Sequence, residues 1–226
     1  MEDLILEKLK TGEWAPGTMI ASENELSRKF GISRMTVRNV LTKLSQEGLL
    51  SRIPGKGTFV AESKIVAKSL SYAGIREQLE QMGYEVSTEL LSFSKKKASK
   101  ELMAIFPFMT TPTVFVIKRL RRLKDEPFSI HTSYIPVELC PDLNKFDLLK
   151  EQLCSILSTN YNLNQTRTIE TLESVAACEN EAKLLKISVG QPLLQLHDII
   201  IGENGEPFEF ANVIFRGEKI KIKLEF

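Results

Sequence analysis

The stretch from Ser22 to Arg38, SENELSRKFGISRMTVR, constrains this chain more than any other. It predicts two short helices separated by a tight break. Ser22 with Glu25 three residues on is a capping box, in which the serine hydroxyl accepts an orphan helix N–H. Leu26 and Phe30 lie four apart and share a face. Gly31 stands where a left-handed C-cap is wanted and no side chain opposes it. Ser33 restarts the chain as a second N-cap, and Val37, Val40, Leu41 and Leu44 follow at helical spacing. Arg34, Thr36, Arg38, Asn39 and Lys43 fall opposite that apolar stripe. A second helix with guanidiniums near its N-terminus, set behind a short turn, suits readout of the major groove of DNA.

The next residues agree. Gly48 ends the second helix, and LLSRIPGKGTFV, residues 49–60, predicts two short strands joined by Gly55-Lys56-Gly57. Flanked only by backbone, Lys56 can approach DNA closely. From Leu26 to Val60 there are seven Lys/Arg against one acid, Glu47, although the whole chain is near neutral at +1. Such local charge is an electrostatic footprint. A solvated helix beside an ordinary hairpin is the plainer alternative, but caps, turn, apolar face, basic face and wing all point to DNA.

SENELSRKFGISRMTVRNVLTKLSQEGLLSRIPGKGTFV closely resembles the winged helix-turn-helix of GntR-type bacterial transcription regulators. The resemblance implies a homodimer on a short palindrome in double-stranded operator DNA, with the second helix in the major groove and the wing tip near the minor groove. It places Arg34, Thr36 and Arg38 on bases or phosphates and Ser22 and Ser33 on phosphate. Lys56, between Gly55 and Gly57, would enter the minor groove. Ala21 replaces a usual proline. Asn24 replaces a position often occupied by arginine, which weakens one contact and changes the expected operator preference.

At 226 residues, two domains are expected. No apolar run reaches the length of a membrane span and nothing at the N-terminus resembles a signal peptide, so a cytoplasmic protein is expected. Cys140, Cys154 and Cys178 are odd in number and lack CxxC spacing, which predicts buried free thiols. His131 and His197 lie far from any Cys or Asp/Glu cluster, so neither a zinc site nor a cofactor is expected. Residues 1–70 hold 11 Lys/Arg against 8 Asp/Glu, and residues 71–226 hold 19 against 21. The affinity for nucleic acid therefore belongs to the front of the chain.

The expected division is a winged helix-turn-helix over residues 1–62, a linker over 63–73, and a second domain over 74–226. A helix over Met1 to Lys10 packs on the recognition unit. In the second domain, residues 74–82 predict a short helix closed by Gly83, and 84–94 a strand. Lys95-Lys96-Lys97 reads as a solvated turn, and 98–106 as a helix. Residues 113–123 and 127–135 form a hairpin across Lys124-Asp125-Glu126; 148–157 is helical, 165–177 extended, and 179–185 a short helix. A second hairpin pairs 192–201 with 207–215, and 219–226 closes as an edge strand whose lysines discourage further pairing. The expected class is α+β with a mainly antiparallel sheet.

VIKRLRRLKDEPFSIHTSYIP, ENEAKLLKISVGQPLLQL and GEPFEFANVIFRG resemble the ligand-sensing UTRA domain of the HutC-type subfamily. That resemblance implies a chorismate-lyase-like fold, which senses an effector and holds the dimer together.

Arg119 and Arg121 are two apart on a strand and project with Phe115 and Ile117. Guanidiniums on an apolar face need an anion, because an unpaired buried charge is costly. An internal ion pair, for example with Glu173, or capture of a ligand phosphate or carboxylate would each supply it. The resemblance implies the second. It also brings Gly74, Ile75 and Arg76 to the anion, Arg76 replacing a common small hydroxyl residue. Glu173 and Glu209 take positions that can bond sugar hydroxyls. His131 stands where relatives commonly have glutamate, although by itself it reads as a structural histidine. Phe215 stands where some have tyrosine, sharing strand parity with Glu209. These two replacements remove an acceptor and a hydroxyl from an amino-sugar subsite and leave an anionic, phosphosugar-like effector as the expectation.

The function expected is a ligand-responsive repressor and not an enzyme. Two histidines, no paired catalytic carboxylates and no nucleophile elbow speak against a lyase, and fold does not carry chemistry. A non-specific DNA-binding protein would have no use for the second domain.

Overall fold

Side-chain caps set the helix boundaries near the N-terminus. In the computed structural model, which describes residues 1–53, 55–61, 64–67 and 75–222, α1 is Glu2–Lys10, α2 is Glu23–Phe30 and α3 is Arg34–Gln46. The Ser22 hydroxyl accepts the Glu25 N–H, and the Glu25 carboxylate accepts the Ser22 N–H in return. Gly31 takes φ 65°, a left-handed value that stops α2. Ser33 then accepts the Thr36 N–H and starts α3. Leu26, Val37, Leu41 and Leu44 are completely or almost completely buried, packing with Ile5 of α1. They meet Leu50 and Val60 from the wing strands β1 (Leu50–Ile53) and β2 (Gly57–Val60), which pair antiparallel. One feature lies outside what periodicity shows. The segment before α2 also bonds to β2, through Ile20 N–H to Thr58 O at 2.9 Å and Val60 N–H to Thr18 O at 2.8 Å.

The chain divides into two compact units, Met1–Ile65 and Val66–Phe226. The second is built on a six-stranded antiparallel sheet in the order β4-β5-β6-β9-β8-β7. Its strands are β4 (Val86–Lys97), β5 (Thr113–Leu123), β6 (Glu126–Pro136), β7 (Gln165–Ala176), β8 (Pro192–Gly202) and β9 (Pro207–Arg216). Its helices are α4 (Ile75–Gln81), α5 (Lys100–Ile105), α6 (Leu153–Tyr161) and α7 (Glu179–Leu185). Alternation along β5 sorts the packing. Phe115 and Ile117 face α6 and its lead-in, with Leu148, Leu153 and Ile156. Val114 and Val116 pack with α5, and Leu120 packs with Ile130, Ile214 and α7. Helices therefore cover both faces.

Several boundaries differ from expectation. Lys95, Lys96 and Lys97 are not a turn; they pair with Phe115, Val114 and Thr113 and complete β4. The backbone is satisfied by β5, while Lys95 lays its ammonium 5.0 Å from the Phe115 ring centroid. The first hairpin turns over two residues only, Lys124 and Asp125, at φ 46° and 66°. Two positive φ values match the twist of paired strands, so Glu126 begins β6. Residues 148–152 precede α6, which runs on to Tyr161. The C-terminal strand is short, β10 (Ile220–Ile222), and pairs with β3 (Ile65–Ala67), not with the edge of the large sheet. Residues 223–226, Gly74 and most of the expected linker lie outside the described residues. Of the cysteines only Cys140 is buried; Cys154 and Cys178 are exposed.

Candidate functional site

Each unit carries a site of its own. In the first, α3 presents Arg34, Thr36 and Arg38 to solvent because Val37, Leu41 and Leu44 take the other face inward. Arg38 is fastened. Its Nε lies 3.1 Å from both oxygens of Glu23 and its Nη2 lies 2.9 Å from Oε2. Arg52 of β1 reaches the same carboxylate at 3.1 Å and the Arg38 carbonyl at 3.4 Å. The Arg38 bond, with the nearby Arg52 and Arg34 charges, holds the Glu23 carboxyl below its ordinary range against a smaller effect of burial. One acid thus joins the start of α2, α3 and the wing. A guanidinium has five N–H donors, so Arg38 keeps others free of Glu23.

The remaining residues of this surface are exposed: Ser22, Asn24, Ser33, Gly55, Lys56 and Gly57. The Ser22 hydroxyl also donates to Glu25 at 2.7 Å, and Ser33 and Thr36 share a hydroxyl bond of 2.8 Å. Lys56 stands between glycines at φ 75° and 128°, conformations that L side chains avoid. At Gly57 a side chain would also press on Met19, with Sδ 3.2 Å from an added Cβ.

In the second unit a cavity of about 100 Å³ opens over the sheet face that α6 covers. It gathers Arg119 and Arg121 from β5, His131 and Ser133 from β6, and Glu209 and Phe215 from β9. Pairing brings them together, with Arg119 opposite His131, Ile117 opposite Ser133 and Ser129 opposite Phe215. Both arginines are 8 % exposed. Arg119 donates to the Ser133 hydroxyl at 2.9 Å, but its Nε and the Nε and Nη1 of Arg121 have no partner. Burial, with Arg119 and Arg76 close by, pulls the Arg121 guanidinium down to about 9. Burial lowers Arg119 as well, and the Glu209 charge opposes it. Burial raises Glu209, against the Ser133 hydroxyl and Arg119. The two guanidiniums are thus buried with donors left unpaired, an arrangement that is costly without a neighbouring negative charge.

His131 lies in the cavity, bonded to Ser129 at 2.8 Å. Burial, followed by the charges of Arg121 and Arg119, holds it well below its usual value, so it is a neutral imidazole. Phe215 packs edge-on against it, ring centroids 6.0 Å apart. Arg76 reaches the cavity wall while bonded to Glu80 at 2.7 Å. Ile75 begins α4, and its side chain lies outside the described residues.

Glu173 is a correction. It pairs across the sheet with Gln195, one step out of phase with the cavity-facing Asp198, and stands exposed 3.9 Å from His197. It is neither a cavity wall nor a partner of Arg119. Two acids that the sequence did not single out stand at these sites, Glu23 and Asp198. Asp198 is 4 % exposed, lines the cavity, and has an unpartnered Oδ1. Its signal was available: a lone carboxylate in LLQLHDIII sharing a strand face with Leu196 and Ile200. Among the described residues, no group of three or more His, Cys, Asp or Glu could hold a metal, and no helix is long and apolar enough to cross a membrane.

Comparison with known proteins agrees with this two-part architecture. Residues 1–60 match the model of bacterial regulatory proteins, gntR family, and residues 81–221 match that of the UTRA domain. The chain is 33 % identical over 219 residues to the HTH-type transcriptional repressor NagR of Bacillus subtilis (strain 168), covering 95 % of this chain and 90 % of that one. It is 26 % identical to the probable fructoselysine utilization operon transcriptional repressor of Escherichia coli (strain K12), covering 98 % and 90 %. The fold is similar to that of PhnF from Mycobacterium smegmatis, with a TM-score of 0.70 at 20 % identity over 100 % of this chain and 98 % of that one.

Proposed function

The chain belongs to the GntR family of bacterial regulatory proteins and carries a UTRA domain, and from that premise we propose that it binds a palindromic operator as a homodimer under the control of an anionic metabolite such as a phosphosugar. At the coarser level it is a transcriptional repressor of the GntR–UTRA type, a DNA-binding regulator and not an enzyme. In this reading residues 1–62 contact DNA and residues 74–226 hold the effector and the dimer. Arg34, Thr36 and Arg38 contact the major groove, Ser22, Asn24 and Ser33 its phosphate edges, and Lys56 the minor groove.

One observation carries the effector class. Arg119 and Arg121 lie side by side and buried, with three guanidinium nitrogens lacking any partner. A phosphate or carboxylate in the cavity would satisfy them in the geometry that guanidinium favours. The fructoselysine utilization named for one relative supports a sugar-derived ligand. Control requires that the effector bind more tightly to one of two arrangements, those that fit and those that miss the operator; tight binding alone shifts nothing.

A thermal-shift screen of sugar phosphates, the matching unphosphorylated sugars and small carboxylates tests this. A ligand at 100 times its Kd adds about 2.7 kcal/mol of stability, a clear shift. Stabilisation by phosphorylated compounds only, absent in Arg119→Ala, is the expected result. No shift with any anion would make both arginines structural.

A further inference from the structure

The second unit is acidic as a whole, with 19 Lys/Arg against 21 Asp/Glu over residues 71–226, yet one strip of it is strongly basic. From Leu90 to Lys100 there are four lysines and no acid. Lys95, Lys96 and Lys97 close β4, the strand at one end of the sheet, and Lys100 opens α5. All four are exposed. Their backbone is held in place. Lys95, Lys96 and Lys97 pair with β5, Ala98 N–H donates to Pro112 O at 2.8 Å, and the Ser99 hydroxyl caps α5 by accepting the Leu102 N–H.

Cations elsewhere in this unit meet acids: Arg122 reaches Glu89 at 2.8 Å, Lys145 reaches Asp142 at 2.9 Å and Arg216 reaches Glu218 at 2.6 Å. Among the described residues, no carboxylate pairs with Lys95, Lys96, Lys97 or Lys100. Glu101 is engaged by the Ser99 hydroxyl, which with its own backbone N–H holds it below its ordinary range. Local stability does not account for the strip. A cation in the first turn of a helix opposes the helix dipole, so Lys100 works against α5. Lysines on an edge strand discourage pairing with another sheet, but Lys100 lies beyond β4 and guards no edge. Adjoining like charges also repel one another, and an external anion relieves them.

We infer that the strip is a second DNA-contact surface, which takes backbone phosphates of double-stranded DNA flanking the operator without reading its sequence. Exposed ammonium groups on a fixed backbone suit phosphate, and residues 95–100 hold no arginine, asparagine or glutamine for bidentate contact with a base. One chain carries both surfaces, so DNA held by the first unit is presented to the second at raised effective concentration. That favours flanking DNA over a free polyanion. The contact depends on DNA binding by the first unit and lies outside residues 1–62.

Lys96→Gln, Lys97→Gln and Lys100→Gln are combined in the full chain; Lys95 stays, because its ammonium lies against the Phe115 ring. Affinity is titrated against salt on two duplexes carrying an operator selected from random DNA. One ends at the operator, and the other is extended by about 20 base pairs, roughly 70 Å, on each side. On the extended duplex at about 0.1 M salt the variant should bind about tenfold or more weakly, and its slope of log K against log salt should be shallower by about two to three. On the short duplex the two proteins should agree within about twofold. The melting temperature should not change, since the three side chains are exposed. The corresponding lysine-to-arginine variant should restore affinity and slope, because neutralising phosphate needs only the charge. Equal slopes for wild type and glutamine variant on the extended duplex, or an equal loss on both duplexes, overturns the inference. Self-association of the glutamine variant with DNA binding unchanged also overturns it and makes the lysines edge guards. A loss confined to an RNA duplex titrated alongside overturns it in favour of RNA. Failure to select any operator would instead overturn sequence-specific binding by the first unit.

Discussion

Glu23, the first residue of α2, holds the guanidinium of Arg38 on α3 from Nε and Nη2 at 2.9–3.1 Å. Arg52 shares the carboxylate from the wing. The pair is partly exposed, so its use is positional more than energetic. It selects one orientation for a long side chain that would otherwise sample many, and a pre-oriented reader loses less entropy on binding.

Glu23→Gln keeps the volume and removes the charge that anchors Arg38. Thermal stability should hardly change. The ratio of specific to non-specific DNA binding should fall, in the same direction as for Arg38→Ala, where the loss should be roughly ten- to a hundredfold. Binding to an operator selected from random duplexes, compared with scrambled DNA, measures it. An unchanged ratio in Arg38→Ala would remove Arg38 from the readers.

Lys56→Ala acts differently. An exposed cation on the wing tip contributes by neutralising phosphate, so affinity should drop by a similar factor for all sequences. The slope of log K against log salt should become shallower by about one. Sequence-dependent loss would instead assign Lys56 to base readout.

Arg121→Met should raise the melting temperature of the unliganded protein. It replaces a buried guanidinium, whose Nε and Nη1 have no partner, with a side chain of similar length. Exchanging buried charge for apolar packing is worth about 1–4 kcal/mol in favourable cases. The same variant should lose the stabilisation by anions while operator binding persists. Destabilisation would show that Arg121 is part of a structural ion network.

The pH dependence of stability carries a signature of Asp198. An unfolded aspartate titrates near 3.9, whereas the folded carboxyl is pushed up to about 8. Its contribution is therefore full below about pH 4 and is lost as the pH rises through about 8. Glu209, also raised by burial, adds a change of the same sign. His131, lowered by burial and by the arginines, adds the opposite sign near its ordinary value of about 6.5. Subtracting the Asp198→Asn curve removes both. The wild-type melting temperature should decline relative to the variant between about pH 5 and 8. A flat difference would mean that Asp198 is ionised in the free protein.

Much of this protein is written in short-range rules. Ser22, Gly31 and Ser33 set helix ends within four residues of themselves, and the apolar spacing from Val37 to Leu44 turns the basic face outward. Those interactions need no distant partner, so the DNA-reading unit and the strand order of hairpins were legible at once. The shared face of Arg119 and Arg121 follows from the two-residue repeat of a strand in the same way.

The cavity of the second unit and the Glu23 clasp depended on pairing between distant segments, which no local pattern encodes. Register and phase across β7 and β8 put Asp198 into the cavity and turned Glu173 away from it, although both are acids on neighbouring strands. The lysine run at 95–97 became strand only because β5 lay alongside to satisfy its backbone. Local chemistry determined which elements form and which faces they bury; the tertiary structure decided which charges meet, because side chains on four strands converge only after the sheet has closed their register.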